Sequence, residues 1–257
     1  MFWTTVILKE SPVKNTELLF REDAYLKETD GAVIAHTPEG GIVLDQTMFY
    51  ATGGGQPGDS GILAWGDQSL EIATTVKTPD GDIVLVPAEP SALPPIGTIV
   101  VQRLDWGRRY GHMRVHTALH LLSVVIPLPV TGGSISAEKG RLDFDMPEAP
   151  EDKEVLADQL NALISQGLAV GEQWISDAEL EANPGLVKTM SVQPPKGAGQ
   201  VRLVRIGEGD DQVDLQPCGG THVANTAEIG RVRIGKIEKK GRQNRRVYLH
   251  LDDGPAG

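Results

Sequence analysis

The chain has 257 residues, 40% of them hydrophobic, and a formal net charge of −11 at pH 7. That length buries a sizeable core in one large or two modest domains, and 30 Gly with 17 Pro point to turns and short strands rather than a helical bundle. The acidic total argues against indiscriminate nucleic-acid binding. A single cysteine rules out an intrachain disulfide and suits a reducing cytosol, and no apolar run approaches the roughly 20 residues that span a bilayer. The opening Met1–Leu8 run is short and lacks a basic leader, so no signal peptide is expected.

Residues 1–15 read as an N-terminal extension, and Thr16–Phe20 as a possible first strand. Ala32–Ala35 is expected to pair with Gly41–Asp45 across the Pro38-Glu39-Gly40 turn. Thr47–Gly61 contains Gly53-Gly54-Gly55-Gln56-Pro57-Gly58, which excludes a helix or central strand and permits close backbone approach to a neighbour or ligand. It lacks the Gly-Lys-Ser/Thr ending of a P-loop, so a tight loop in a β-domain is the plain alternative. Strands are expected at Glu71–Lys77, Ile83–Val86 and Gly97–Leu104, the first two joined by a Pro-Asp-Gly turn. Pro87–Pro95 reads as an edge or connection. Residues 16–104 thus form a small, barrel-like β-domain.

At Leu104–Trp106 the period changes. Asp105 is a fair N-cap for a helix that runs to about Val125 and is ended by Pro127. Val130–Ser136 reads as a loop entering a strand, and Arg141–Asp145 alternates like a half-buried strand. Glu151–Gln166 carries a Leu156, Leu160, Leu163, Ile164 stripe that marks a core-packing helix. A strand at Leu168–Ile175, a short helix near Asp177–Glu181 and a loop through Pro194–Gly197 follow. Strands at Val201–Ile206, Val213–Leu215, Ile229–Ile237 and Arg246–Leu251 complete the chain. The fold class is therefore α+β: a β-rich region at 16–104, then a domain at 105–257 with a mostly antiparallel sheet.

The chemistry concentrates in two segments. His116 and His120 lie four residues apart in a helix, hence on one face. Cys218, the only cysteine, precedes His222 by four residues with Gly219-Gly220 between. A lone histidine is usually a packed or surface residue, but two such pairs make an N/S set suited to zinc, one ion per chain. The absence of a Glu after His116 rules out the zinc-peptidase signature, and the separation of the pairs rules out a small zinc finger. A purely structural ion remains open on spacing alone. Basic residues cluster at Arg103, Arg108, Arg109 and Arg114, and again at Arg231, Arg233, Lys236, Lys239, Lys240, Arg242, Arg245 and Arg246. A solvated face is the bland reading of both.

Phe49-Tyr50 with Gly54-Gly55-Gln56-Pro57-Gly58-Asp59, His116-Thr117-Ala118-Leu119-His120-Leu121-Leu122, Cys218-Gly219-Gly220-Thr221-His222 and Thr226-Ala227-Glu228-Ile229-Gly230 occur in that order. Together they resemble the editing domain of alanyl-tRNA synthetase, and more closely its free-standing AlaX-type relatives of medium size. The resemblance runs from about residue 17 onward. It implies a cytoplasmic enzyme that hydrolyses the ester of tRNA(Ala) mischarged with serine or glycine, with zinc held by His116, His120, Cys218 and His222. It implies a basic rim for the acceptor stem, for which Arg108, Arg109, Arg114, Lys239, Lys240, Arg242, Arg245 and Arg246 are candidates. Thr117, Thr131, Ser134 and Gln56 are candidates for selectivity; many members of that family carry glutamine at the Ser134 position. No catalytic residue is assigned beyond the metal site. Two rivals stay open: a non-catalytic tRNA-binding module with structural zinc, and a zinc hydrolase of a small-molecule ester or amide.

Overall fold

The computed structural model describes residues 16–150, 152–189 and 199–252; the N-terminal extension and the Pro194–Gly197 loop fall outside them. Strand β1 (Glu17–Leu18) is only two residues long and gives way to a 3-10 turn, so the expected Thr16–Phe20 strand is shorter than its apolar run suggested. It pairs in parallel with β4 (Gln46–Thr47).

A closed six-stranded barrel follows. Its members are β2 (Glu28–His36), β3 (Ile42–Leu44), β5 (Gly61–Trp65), β6 (Gln68–Lys77), β7 (Ile83–Pro87) and β8 (Ile99–Leu104), in the order β2-β3-β7-β6-β5-β8. The β2–β3 hairpin has the expected partners, with Val33 opposite Leu44 and His36 opposite Ile42. Closure joins β8 to both β2 and β5 and leaves no edge strand unpaired. Leu44, Leu63, Ile72, Leu85 and Val100 fill the interior without measurable exposure.

Helix α1 (Trp106–Val125) starts where Asp105 caps it, the carboxylate accepting from the Arg108 amide at 3.2 Å. Beyond it lies a four-stranded antiparallel sheet in the order β14-β15-β10-β9, made of β9 (Val130–Ile135), β10 (Lys139–Asp145), β14 (Val232–Lys239) and β15 (Asn244–Leu251). Val130–Ile135 is thus a full edge strand rather than a loop: its glycines hide the alternation that normally announces one. Helix α2 (Lys153–Ser165), capped by Asp152, packs with α1 against one face of this sheet. Their shared core includes Leu119, Leu122, Phe144, Leu160, Val247 and Leu249.

A second antiparallel sheet, β11-β12-β13, is built from β11 (Val170–Ser176), β12 (Gln200–Ile206) and β13 (Asp214–Pro217), with the short helix α3 (Asp177–Ala182) closed by a Ser176–Glu179 capping box. The architecture is mixed α and β with mostly antiparallel sheets. Among the described residues no helix is long and apolar enough to cross a membrane.

Two basic candidates point inward, against the expectation that they line a rim. Arg109 has no exposed surface: Nε donates to Asp59 Oδ2 at 2.9 Å, Nη1 to Ala24 O at 2.9 Å and Nη2 to Met48 O at 2.6 Å and to the same carboxylate. It occupies the face of α1 that meets the barrel. Arg245 alternates with Arg246 on β15 and therefore faces the core side, where its guanidinium donates to the carbonyls of Gly241, Asn244 and Pro147. A count of charges along the sequence cannot register either turn.

Candidate metal centre

His116 and His120 stand one turn apart on α1, and β13 runs into the turn that carries Cys218 and His222. The ligand atoms of these four residues all lie within 4.8 Å of one another. Imidazole centroids are 4.2 Å apart for His116 and His222, 4.6 Å for His120 and His222, and 5.3 Å for His116 and His120. Cys218 Sγ lies 3.5 Å from His116 Nε2 and 3.3 Å from His222 Nε2. A tetrahedral zinc ion with ordinary Zn–N and Zn–S bonds would hold nitrogen and sulfur about 3.5 Å apart. The donor set and its spacing fit zinc.

What the other ring nitrogens touch makes the same case. His116 Nδ1 is 2.9 Å from Gln56 Oε1, His120 Nδ1 is 3.0 Å from Asp214 Oδ2, and His222 Nδ1 is 3.1 Å from Thr117 Oγ1. The Thr117 hydroxyl gives its proton to Met113 O at 2.9 Å, so toward His222 it accepts. Gln56 Nε2 donates to Thr221 Oγ1 at 2.9 Å and its Oε1 accepts from the Thr221 amide at 3.2 Å, so toward His116 it also accepts. Each Nδ1 therefore donates to an acceptor and leaves Nε2 as the ring nitrogen for the centre, the pattern that orients metal-ligating histidines.

Charge reinforces the arrangement. Asp214 is buried between Lys188 Nζ at 2.5 Å and the His120 ring. Gln216 Nε2 donates to the same carboxylate at 2.8 Å. Burial opposes protonation of His120, but its bond to Asp214 outweighs that and pushes the ring up to about 9. Burial alone would raise the Cys218 thiol; the His116 and His222 imidazoles beside it hold it well below the usual thiol range. Burial, helped by His116, holds His222 well below the usual imidazole range. A divalent metal binds a thiolate and unprotonated ring nitrogens, so its binding would displace the proton that Asp214 helps His120 to keep.

Two glycines allow this packing. A Cβ at Gly220 would collide with the His116 ring and with Gln56 Oε1. Gly55, at φ +84°, lies against Gly133 of β9, and its carbonyl accepts from the Ile135 amide at 2.9 Å. The glycine-rich barrel loop is thereby pressed onto β9 with Gln56 bonded to the candidate ligand His116. The three histidines are buried, whereas Cys218 is half-exposed and Gly219 exposed, so the centre opens on the side of this turn.

The remaining candidates are spread out. Thr117 is fully buried and its hydroxyl is spent on Met113 and His222. Thr131 Oγ1 donates to Asp143 O at 3.1 Å and accepts from Asn244 Nδ2 at 2.5 Å, which binds it into the sheet. Ser134 is half-buried on β9 beside Gly55. Arg114 reaches Ile229 O through Nε and Nη2, and half-buried Arg108 approaches Ser60 Oγ at 3.4 Å. Lys239, Lys240 and Arg242 are exposed at the β14–β15 hairpin, and Arg246 is paired with Asp143.

Asp214, Gln216, Lys188 and Thr221 were not singled out from the sequence. The alternation Asp214, Gln216 along the strand that leads into Cys218 was the signal that could have found the first two. Replacing Gln56 by alanine should weaken metal retention about 10- to 100-fold, measured by competition with a chromophoric chelator. Unchanged affinity would leave Gln56 a packing residue only.

Comparison with known proteins agrees with the distribution of motifs. The family described as threonyl and alanyl tRNA synthetase second additional domain matches residues 201–248, and that described as tRNA synthetases class II (A) matches residues 17–108. The chain is 35% identical over 248 residues to the alanyl-tRNA editing protein AlaX-M of Methanosarcina acetivorans, covering 93% of this chain and 100% of that protein. It is 33% identical to the AlaX-M protein of Saccharolobus solfataricus, covering 91% of this chain and 98% of the relative. The alanine–tRNA ligase of Pyrobaculum arsenaticum matches at 33% identity over 87% of this chain, but over only 25% of the ligase.

Proposed function

The chain belongs to the AlaX-M family of alanyl-tRNA editing proteins, and on that premise we propose that it hydrolyses the ester of tRNA(Ala) mischarged with serine or glycine. The observation that carries the reading is the oriented four-donor cluster in a chain similar to those editing proteins over nearly its whole length. In this reading residues 16–104 form the glycine-motif β-domain and 105–257 the editing domain, and His116, His120, Cys218 and His222 hold one zinc ion.

Bound zinc would supply a Lewis acid that polarises an ester carbonyl or favours ionisation of a water. The protein's own groups do the positioning. Gln56, Asp214 and Thr117 fix three ring orientations, and the turn at half-buried Cys218 and exposed Gly219 leaves one side through which the aminoacyl end would enter. Discrimination of serine from alanine requires a polar group that rewards the extra hydroxyl, because packing discriminates a hydroxyl weakly. With Thr117, Thr131 and Gln56 committed elsewhere, Ser134 remains the selectivity candidate. Cationic side chains would hold the acceptor stem through its phosphates.

One observation favours a second reading. Four protein donors close a tetrahedral zinc site, as in structural centres, and a tRNA-binding module without turnover would need nothing more. Deacylation of Ser-tRNA(Ala) beside Ala-tRNA(Ala), with zinc-loaded and chelator-treated protein, separates the two. The editing reading expects zinc-dependent release of serine with alanine spared. Binding of tRNA with neither ester cleaved would put the module in its place.

A further inference from the structure

The four-stranded sheet has two unlike faces. Helices α1 and α2 pack on one, against Val247, Leu249 and Phe144. The other carries charged and half-exposed side chains in register: Lys139 opposite His250 opposite Arg233, Arg141 opposite Tyr248, and Asp143 opposite Arg246 opposite Glu238.

Cations outnumber anions on this face. Asp143 is shared by two guanidiniums, Arg246 at 2.8 Å and Arg141 at 2.9 Å. Glu238 is likewise shared by Lys236 and by Lys240 at 3.1 Å. Lys139 and Arg233 are exposed and form no ion pair among the described residues, and Asp145 is the remaining carboxylate of the face. Burial, and then Arg233 and Lys139, lower the pKa of His250, as expected where positive charge is crowded. This surplus sits on a chain whose net charge is −11, so it is a local feature and not a property of the whole surface.

The face also leads to the metal centre. Its edge strand is β9, where Gly132 and Gly133 put no side chain in the way. Gly133 touches Gly55, whose neighbour Gln56 bonds the His116 ring. From this placement we infer that the outer face of the β14-β15-β10-β9 sheet docks the double-helical stem of an RNA substrate, whose single-stranded 3′ end crosses β9 to reach the centre. The inference rests on the editing reading for the identity of that RNA, and charge complementarity selects a polyphosphate backbone as the partner.

The test is the double substitution R233E/K236E, with exposed Lys77 of the barrel reversed (K77E) as a control for charge reversal away from the face. Two substrates are compared: intact mischarged tRNA(Ala), and a short aminoacylated oligonucleotide that ends in the same 3′ nucleotides. The double variant should raise KM for the intact tRNA at least about tenfold with kcat unchanged, and should leave the oligonucleotide untouched. Binding of uncharged tRNA should weaken, its salt dependence falling by roughly two ions, while K77E behaves as the parent protein. Equal KM in both variants, or equal loss on both substrates, would overturn the docking face. If the parent protein binds tRNA but cleaves no ester, the hydrolase reading fails separately and the binding arm still decides: an unaffected affinity in R233E/K236E, or no tRNA binding by the parent, removes the proposal.

Discussion

Alanine at position 218 should leave the protein with well under one zinc ion per chain. Cys218 supplies the single anionic donor of the cluster, 3.3 and 3.5 Å from two imidazole nitrogens, and three neutral rings alone are a poorer match for the ion. The turn around it is held independently, since Arg202 Nη1 donates to the carbonyls of Cys218 and Gly220, each at 2.9 Å. Loss of metal would therefore report on the thiolate and not on a collapsed turn. Metal analysis after gel filtration is the measurement, with the melting temperature read alongside, because an ion that binds only the folded state stabilises it. Zinc content that stays at one per chain would remove Cys218 from the ligand set.

The second large effect is expected at Arg109, on stability. Its side chain and that of Asp59 are 0% and 1% exposed, and every nitrogen of the guanidinium donates to the barrel or to the segment before it. Asp59 Oδ2 also takes the Tyr50 amide at 2.6 Å, while Oδ1 has no hydrogen-bond partner among the described residues. Arg109→Ala would strand a buried carboxylate with one backbone donor, a loss of about 3–5 kcal/mol. In a chain of this size that lowers the melting temperature by roughly 10 °C. Replacing both partners by apolar residues (Arg109→Met with Asp59→Leu) should recover much of the loss, since the desolvated charges then disappear together. Calorimetry of the parent, both single variants and the double variant gives the coupling directly. A single variant as stable as the parent would show that the pair is dispensable.

Much of this was legible beforehand where local chemistry dictates the outcome. Asp105 capped the helix that presents His116 and His120, the Pro-Asp-Gly turn joined β6 to β7, and the Gly219-Gly220 pair marked a turn between two ligands. The closed barrel was half-legible: alternation announced its strands, but the pairing of β8 with β2 and β5 is non-local and leaves no trace in a short window. β9 was missed as a strand because glycines carry no hydrophobicity to alternate. Arg109 and Arg245 were misjudged for a different reason. Charge predicts exposure on average, and only the packing of a second element reveals a guanidinium enclosed by carbonyls. Asp214 looked like any strand-edge carboxylate until His120, 94 residues earlier in the chain, was placed against it.

The geometry of the ligand set also fixes an order of events during synthesis. All six barrel strands lie between Glu28 and Leu104, so they can pair as soon as that segment has left the ribosome. Arg109 follows within a few residues and can lock the finished barrel to the first turns of α1. His116 and His120 then wait while about a hundred more residues are made before Cys218 and His222 arrive. The four donors come together only after residue 222 is made, too late for this cluster to serve as a nucleus for the barrel.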